Sequence, residues 1–154
     1  MASMSGVVTG KVVSTEDPEH QGRVKVSFPY LGGQNESYWA PVASLLSGNK
    51  TGAWFMPEEG HEVLVAFNQD DVAHPFIIGF LWNGKDAPPD AKAENRVLVT
   101  PGGHTLRFED GGNKKVIVKS SSGQAITLDD TGKSITLEGG NRVLKMHDGM
   151  VEIS

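Results

Sequence analysis

His104-Thr-Leu-Arg-Phe-Glu-Asp110, Gln124-Ala-Ile-Thr-Leu-Asp-Asp130 and Arg142-Val-Leu-Lys-Met-His-Asp148 align without a gap. Their first residues, 104, 124 and 142, lie 20 and then 18 positions apart. Each unit has an apolar residue at its third and fifth positions and aspartate at its seventh, with glycine soon after at Gly111, Gly132 and Gly149. A second, shorter β-run follows each, over Val116–Val118, Ser134–Leu137 and Met150–Ile153. The unit is therefore strand, Asp/Gly turn, strand, used three times. A fixed repeat of this size predicts a β-solenoid or β-prism.

Alternation assigns the inward side chains of the repeats: Leu106, Phe108, Val116, Val118, Ile126, Leu128, Ile135, Leu137, Leu144, Met146, Val151 and Ile153. Each is worth ~1.5–3 kcal/mol if buried. Three short hairpins offer one apolar face and nothing within the chain to lay it on. Their outer strands would also expose unpaired backbone groups. Identical chains wrapped about a shared axis bury the row and close the sheet. Threefold is the smallest symmetry that yields a closed, filled prism.

Upstream the texture changes. Residues 83–95 (NGKDAPPDAKAEN) hold no apolar side chain larger than alanine, and Asn83-Gly84 and Pro88-Pro89 mark a linker. Before it, Ser5–Ser14, Arg23–Phe28, Ala53–Met56, Glu62–Phe67 and Phe76–Trp82 read as five strands. In the second, Val24, Val26 and Phe28 alternate with Arg23, Lys25 and Ser27, which is the period of one buried face. Five strands over residues 5–82 predict a five-stranded OB-type barrel. A needle of repeats then covers 96–154. With 19 glycines and 8 prolines there is no clean 3.6-residue apolar period, and only Val42–Leu46 suggests a helical turn. The fold class is all-β.

Composition excludes several functions. The chain has 154 residues, 38% of them hydrophobic and 21% charged, and no apolar run approaches a membrane span. There is no cysteine, so disulfides, thiolate metal sites and cysteine nucleophiles are absent together. Met1–Gly10 lacks a basic start and an apolar core, which predicts synthesis in the cytoplasm without a signal peptide. Residues 1–90 carry 5 basic and 11 acidic side chains and residues 91–154 carry 9 and 8, consistent with the net charge of −5. An acidic barrel argues against a phosphate backbone as ligand.

Gly22-Arg-Val-Lys-Val26 followed by Phe28-Pro-Tyr30 resembles the strand signature of phage baseplate assembly protein V and of the VgrG spike barrel. The order continues with Trp39-Ala-Pro41, Gly52-Ala-Trp54, Met56-Pro-Glu-Glu-Gly60 and Glu62-Val-Leu-Val65. It closes with His74-Pro-Phe76, Ile78-Gly79, Trp82-Asn-Gly84 and Pro88-Pro89. Gly103-His104 with Leu106, Phe108 and Asp110 resembles the entry to the VgrG β-helix. The resemblance covers roughly residues 6–154. It implies the homotrimeric central spike of a contractile tail or injection particle, driven mechanically through a target membrane, with a baseplate hub protein at the barrel end. Effector cargo is a further partner of such spikes. Larger members carry a hub-like region before the barrel. This sequence starts almost at the barrel, so the hub is expected on a separate protein or in a part trimmed away. The 13-residue linker is too short for the lysozyme domain that some phage members insert.

The remaining candidate sites have plainer readings. His20, His61, His74, His104 and His147 form no His-x-His pair, so neither a metal nor any cofactor is expected, and His147 reads as a surface histidine. Glu58-Glu59 and Asp70-Asp71 resemble a glycosidase carboxylate pair only in composition; both lie at turns. Asp110, Asp130 and Asp148 lack the dense pattern of calcium-binding β-rolls and read as turn-capping residues. Trp39, Trp54 and Trp82 lack the basic surround of a nucleic-acid platform, and core or subunit interface suits them better. No catalytic residue is assigned.

Three functions remain: a mechanical spike without an active site, an OB-fold module binding oligonucleotide or glycan with a β-tail for oligomerisation, and a peptidoglycan hydrolase. The first accounts best for the repeats. The acidity of residues 1–90 and the polar loop Leu31–Ser37 (LGGQNES) predict that the barrel docks onto the hub. The sequence given stops in a strand pattern at Met150, Val151, Glu152, Ile153 and Ser154. A blunt rung invites strand pairing, and the resemblance supplies the partner, a PAAR-type cap protein on residues 144–154.

Overall fold

The computed structural model describes residues 6–31 and 36–154, Leu31 by its backbone alone. The chain divides into two compact units, Met1–Ala87 and Pro88–Ser154. All regular structure among the described residues is β apart from two short 3-10 turns, Pro29–Leu31 and Asn68–Asp70.

In the first unit, β1 (Val7–Ser14), β2 (Arg23–Ser27), β3 (Ala40–Pro41), β6 (Glu62–Phe67) and β7 (Pro75–Leu81) form one antiparallel sheet in the order β3-β2-β1-β6-β7. A small separate hairpin, β4 (Ser47–Gly48) and β5 (Thr51–Gly52), lies between β3 and β6 in the chain. Just past β3, Val42 makes a parallel bridge to Ile77 and the Ala43 N–H donates to the Ile77 carbonyl at 2.8 Å. That contact brings the two edges together and nearly closes a five-stranded barrel.

The inward residues are those that alternation requires. Val12, Val24, Val26, Phe28, Ala40, Val63, Val65, Phe67 and Ile77 form the buried core. Phe28 sits 6.0 Å from the Phe67 ring, closing one end of it.

Two expected elements differ. Ala53–Met56 is not a strand: the stretch runs without regular structure to Pro57, Trp54 is 74% exposed, and only Met56 packs against the barrel core. The place in the sheet belongs to Ala40–Pro41, where a small alanine fits the closed seam. Val42–Leu46 is not helical either, because Val42 and Ala43 spend their backbone groups on Ile77. Residues 32–35 of the loop expected at Leu31–Ser37 lie outside the described residues. The end of that stretch is not an exposed loop. Ser37 is buried; its N–H donates to the Val26 carbonyl at 2.8 Å and its Oγ accepts from the Val26 N–H at 3.0 Å.

The turn from β1 to β2 is held by one carboxylate. Asp17 accepts the Arg23 guanidinium at 2.6 and 3.1 Å and the backbone N–H groups of Glu19, Gln21 and Arg23 at 3.1, 2.8 and 3.3 Å. The guanidinium above all, then those N–H groups, holds the Asp17 carboxyl well below the usual carboxylate range.

In the second unit, β8 (Arg96–Val99), β9 (Thr105–Glu109), β10 (Lys115–Lys119), β11 (Ala125–Asp129), β12 (Ser134–Gly139), β13 (Arg142–His147) and β14 (Met150–Ile153) form a seven-stranded antiparallel meander in chain order. The uneven offsets of 20 and 18 have a simple origin. Glu109 pairs with Lys115 and Lys119 with Ala125, whereas Asp129 pairs with Ser134 and Glu138 with Val143. Each later loop is one residue shorter, so the strands keep their register. Tight turns use the residues suited to them: Asp148 and Gly149 both have positive φ, 46° and 74°, between paired His147 and Met150.

Residues 83–95 share themselves between the units. Asn83 Nδ2 donates to Glu62 at 3.1 Å and to Asp86 at 3.3 Å in the first unit. Asp90 accepts from the Lys92 N–H at 2.8 Å and from Asn95 at 3.1 Å, and pairs with Arg107 at 2.7 Å in the second.

Candidate assembly interface

Register decides which side chains of the meander share a face. Leu106 pairs with Val118, Phe108 with Val116, Val118 with Ile126 and Val116 with Leu128. Ile126 pairs with Leu137, Leu128 with Ile135, Ile135 with Met146 and Leu137 with Leu144; Leu144 then meets Ile153 and Met146 meets Val151. Paired residues stand on one face, so all twelve side chains line up two abreast across six strands. Leu98 extends the row into β8 by pairing with Leu106, a residue that repeat counting from His104 does not reach. Arg96 pairs with Phe108 and ends the apolar ladder.

The row is not buried by this chain. Its middle members Ile126, Leu128, Ile135 and Leu137 remain 39–43% exposed, and the terminal Val151 and Ile153 are 62% and 71% exposed. A groove of about 840 Å³ runs over this face, lined by Phe108, Val116, Leu128, Ile135, Met146 and Val151 and by the turn residues Asp110, Asp130 and Asp148. Contiguous apolar surface of this kind marks an interaction site.

The opposite face is charged and internally paired. Lys115 meets its cross-strand partner Asp129 at 3.1 Å, and Arg107 meets Glu109 at 2.7 Å. The Gly132 N–H and then Lys115 keep the Asp129 carboxyl below its ordinary value. His147 lies on this side with Glu152 at 3.3 Å and Asp148 at 3.6 Å. Among the described residues no group of three or more histidines and carboxylates is arranged to hold a metal ion.

The remaining candidates separate. The turn cap near Asp130 is Asp129, whose Oδ1 accepts the Gly132 N–H at 2.7 Å, while the Asp130 N–H donates to the Lys114 carbonyl. Asp71 accepts from the Ala73 N–H and faces His74 Nδ1, each at 3.0 Å, and the Glu58 N–H donates to His61 Nδ1 at 3.2 Å. The Asp71 carboxylate organises one turn, and the Glu58 backbone with the His61 ring organises the other. Trp54 and Trp82 lie outside the core, both largely exposed, and Trp39 is half-buried under Lys25, 5.4 Å from its ring centre. Of the two places expected for tryptophan, core or subunit interface, exposure rules out the core for Trp54 and Trp82.

A nearly closed barrel and a sheet with one open apolar face point to an assembly module, and the comparisons with known proteins agree. Residues 8–82, the barrel, match the family of the type VI secretion system/phage-baseplate injector OB domain. The chain is VgrG-like. It is 35% identical over 123 residues to the type VI secretion system spike protein VgrG5 of Pseudomonas aeruginosa, covering 71% of this chain and 16% of that protein. It is 32% identical over 130 residues to the actin cross-linking toxin VgrG1 of Vibrio cholerae, covering 74% and 12%, and 32% over 110 residues to the spike protein VgrG3 of the same species, covering 63% and 11%. The chain thus spans about a sixth or less of the length of these relatives. Among the described residues no helix is long and apolar enough to cross a membrane.

Proposed function

We propose that three copies of this chain form the central spike of a contractile injection machine. The observation that carries the reading is the row from Leu106 to Ile153, aligned by register and left open by the single chain. Three such faces turned inward make a prism filled by the twelve side chains, with the Lys115–Asp129 and Arg107–Glu109 pairs outside. Continuous backbone pairing and a dry core give the stiffness that a needle needs. The role is mechanical and assigns no catalytic group.

The barrel meets the baseplate hub protein and residues 144–154 seat a PAAR-type cap, three chains to one cap. β14 supports the second contact: it has a neighbour on one side only, and Val151 and Ile153 are the most exposed of the row. Deleting Gly149–Ser154 should abolish co-purification with a PAAR-type protein while hub binding survives. Cap binding that persists in the deletion places the contact elsewhere. A full chain that co-purifies with hub after Tyr38 and Trp54 on the barrel are both made serine, but not after changes in the needle, inverts the assignment.

A further inference from the structure

Asn83-Gly84 is the one Asn-Gly pair in the sequence, and it follows directly on β7 and Trp82. The Asn83 side chain uses both ends of its amide. Oδ1 accepts the backbone N–H groups of Lys85 and Asp86, each at 2.8 Å, which makes an Asx turn. Nδ2 donates to the Glu62 carboxylate at 3.1 Å and to the Asp86 carboxylate at 3.3 Å. The Asn83 N–H also donates to the Asp86 carbonyl at 3.1 Å. One half-buried side chain therefore ties the loop 83–86 to itself and to the start of β6.

The loop does not need glycine beside it. Gly84 lies outside the left-handed region, and a Cβ there would meet nothing within 4 Å. What glycine supplies at this position is an unhindered, exposed amide nitrogen next to an asparagine. A cleft lined by His61, Glu62, Asn83, Lys85 and Asp86 opens the same amide to water.

We propose that Asn83 is a spontaneous deamidation site, guarded by its own hydrogen bonds, and that its conversion is a slow one-way switch releasing the loop 83–86 from β6. The Gly84 nitrogen attacks Asn83 Cγ. A Cγ–N bond forms, the Cγ–Nδ2 bond breaks, and Nδ2 leaves as ammonia with the proton that Gly84 gives up. Water then opens the cyclic imide to aspartate or isoaspartate. In the folded chain the attack is slow, because turning Cγ onto the Gly84 nitrogen breaks the four side-chain hydrogen bonds together. The product reverses the contact. Where an amide donated to Glu62 and Asp86, a third carboxylate now faces them, and like charges repel. Isoaspartate also routes the main chain through Cβ and Cγ, lengthening it inside the turn.

The test follows the full chain at mildly alkaline pH, folded and in urea, with peptide mass spectrometry reading residue 83. Conversion several-fold slower in the folded chain is expected, with aspartate and isoaspartate both formed. Equal rates overturn the guard, and no conversion in urea, or aspartate alone, overturns the imide route. Gly84→Ala fits the loop and should fold as the parent does while slowing conversion in urea several-fold; an unchanged rate overturns attack by the Gly84 nitrogen. Asp86→Ala should raise the folded rate toward that in urea, and a folded rate no higher than the parent's counts against the guard. Asn83→Asp reports the consequence. Its Lys85 and Asp86 amides should exchange hydrogen several-fold faster than in the parent, and parent-like exchange overturns the release.

Discussion

The two units use the same alternation of apolar and polar residues and reach opposite ends. In the barrel, β2 points Val24 and Val26 at Val63, Val65 and Ile77 of the same chain, and these side chains are fully buried. In the meander, Ile126 and Leu128 meet only their lateral neighbours, and more than a third of each stays in water. The difference is curvature. A five-stranded sheet whose edges meet at Val42 and Ile77 supplies its own second layer. A seven-stranded meander with open edges at β8 and β14 has none within the chain, and in the proposed assembly other copies supply it. Burial in the first unit is therefore a property of folding, and in the second, under the proposed assembly, a property of association.

The sharpest way to break that distinction is to charge the open face. Ile126→Asp with Leu137→Asp places paired carboxylates at the centre of the prism, six about one axis, where no cation meets them. The trimer should be lost completely, with hydrogen exchange in residues 96–153 becoming fast while β1, β2 and β6 stay protected. Equal loss of protection in the barrel would mean that the two units share one core. The complementary change is Ile77→Ala, which cuts the barrel core and should cost about 2–5 kcal/mol in urea unfolding. The mass in solution should not change.

A smaller effect tests the hairpin. Gly52 has φ of +148°, and a Cβ there would sit 2.4 Å from the Leu46 carbonyl oxygen. Gly52→Ala should therefore displace the Ser44–Phe55 segment at a cost of roughly 1–3 kcal/mol, seen as altered Trp54 fluorescence with the barrel strands intact. Smallest is the pH response of Asp17. Its folded carboxyl ionises below the unfolded value of about 3.9, so its contribution is fully present above that pH and is lost as pH falls through the folded value. Asp17→Asn should lower stability at pH 7 and differ less and less from the parent as the solution is acidified. A constant difference from pH 7 to pH 2 would show that geometry, and not ionisation, is what Asp17 contributes.

Period-two patterning made Arg23–Ser27 and Glu62–Phe67 legible, and the repeat made legible which twelve side chains of the second unit share a face, although the single chain is an antiparallel meander and not the solenoid or prism that the repeat predicts. The seam was not legible. β3 is two residues long, and its fit depends on Ala40 being small and on Val42 reaching Ile77, neither of which leaves a local signature. Ala53–Met56 carries strand-forming residues yet lies outside the sheet, because tertiary packing of Trp54 on Gly22 overrides propensity. The outward face of β7 was hidden for a related reason. Phe76, Ile78 and Phe80 alternate as a buried strand would, and only the register at Ile77 tells which members of that run face out.

The account stands on the open face of the meander being covered by two more copies. The mass of the full chain by light scattering at micromolar concentration tests this most directly. About three times 16.5 kDa is predicted, whereas a homogeneous 16.5 kDa species with residues 96–153 protected from hydrogen exchange would contradict it.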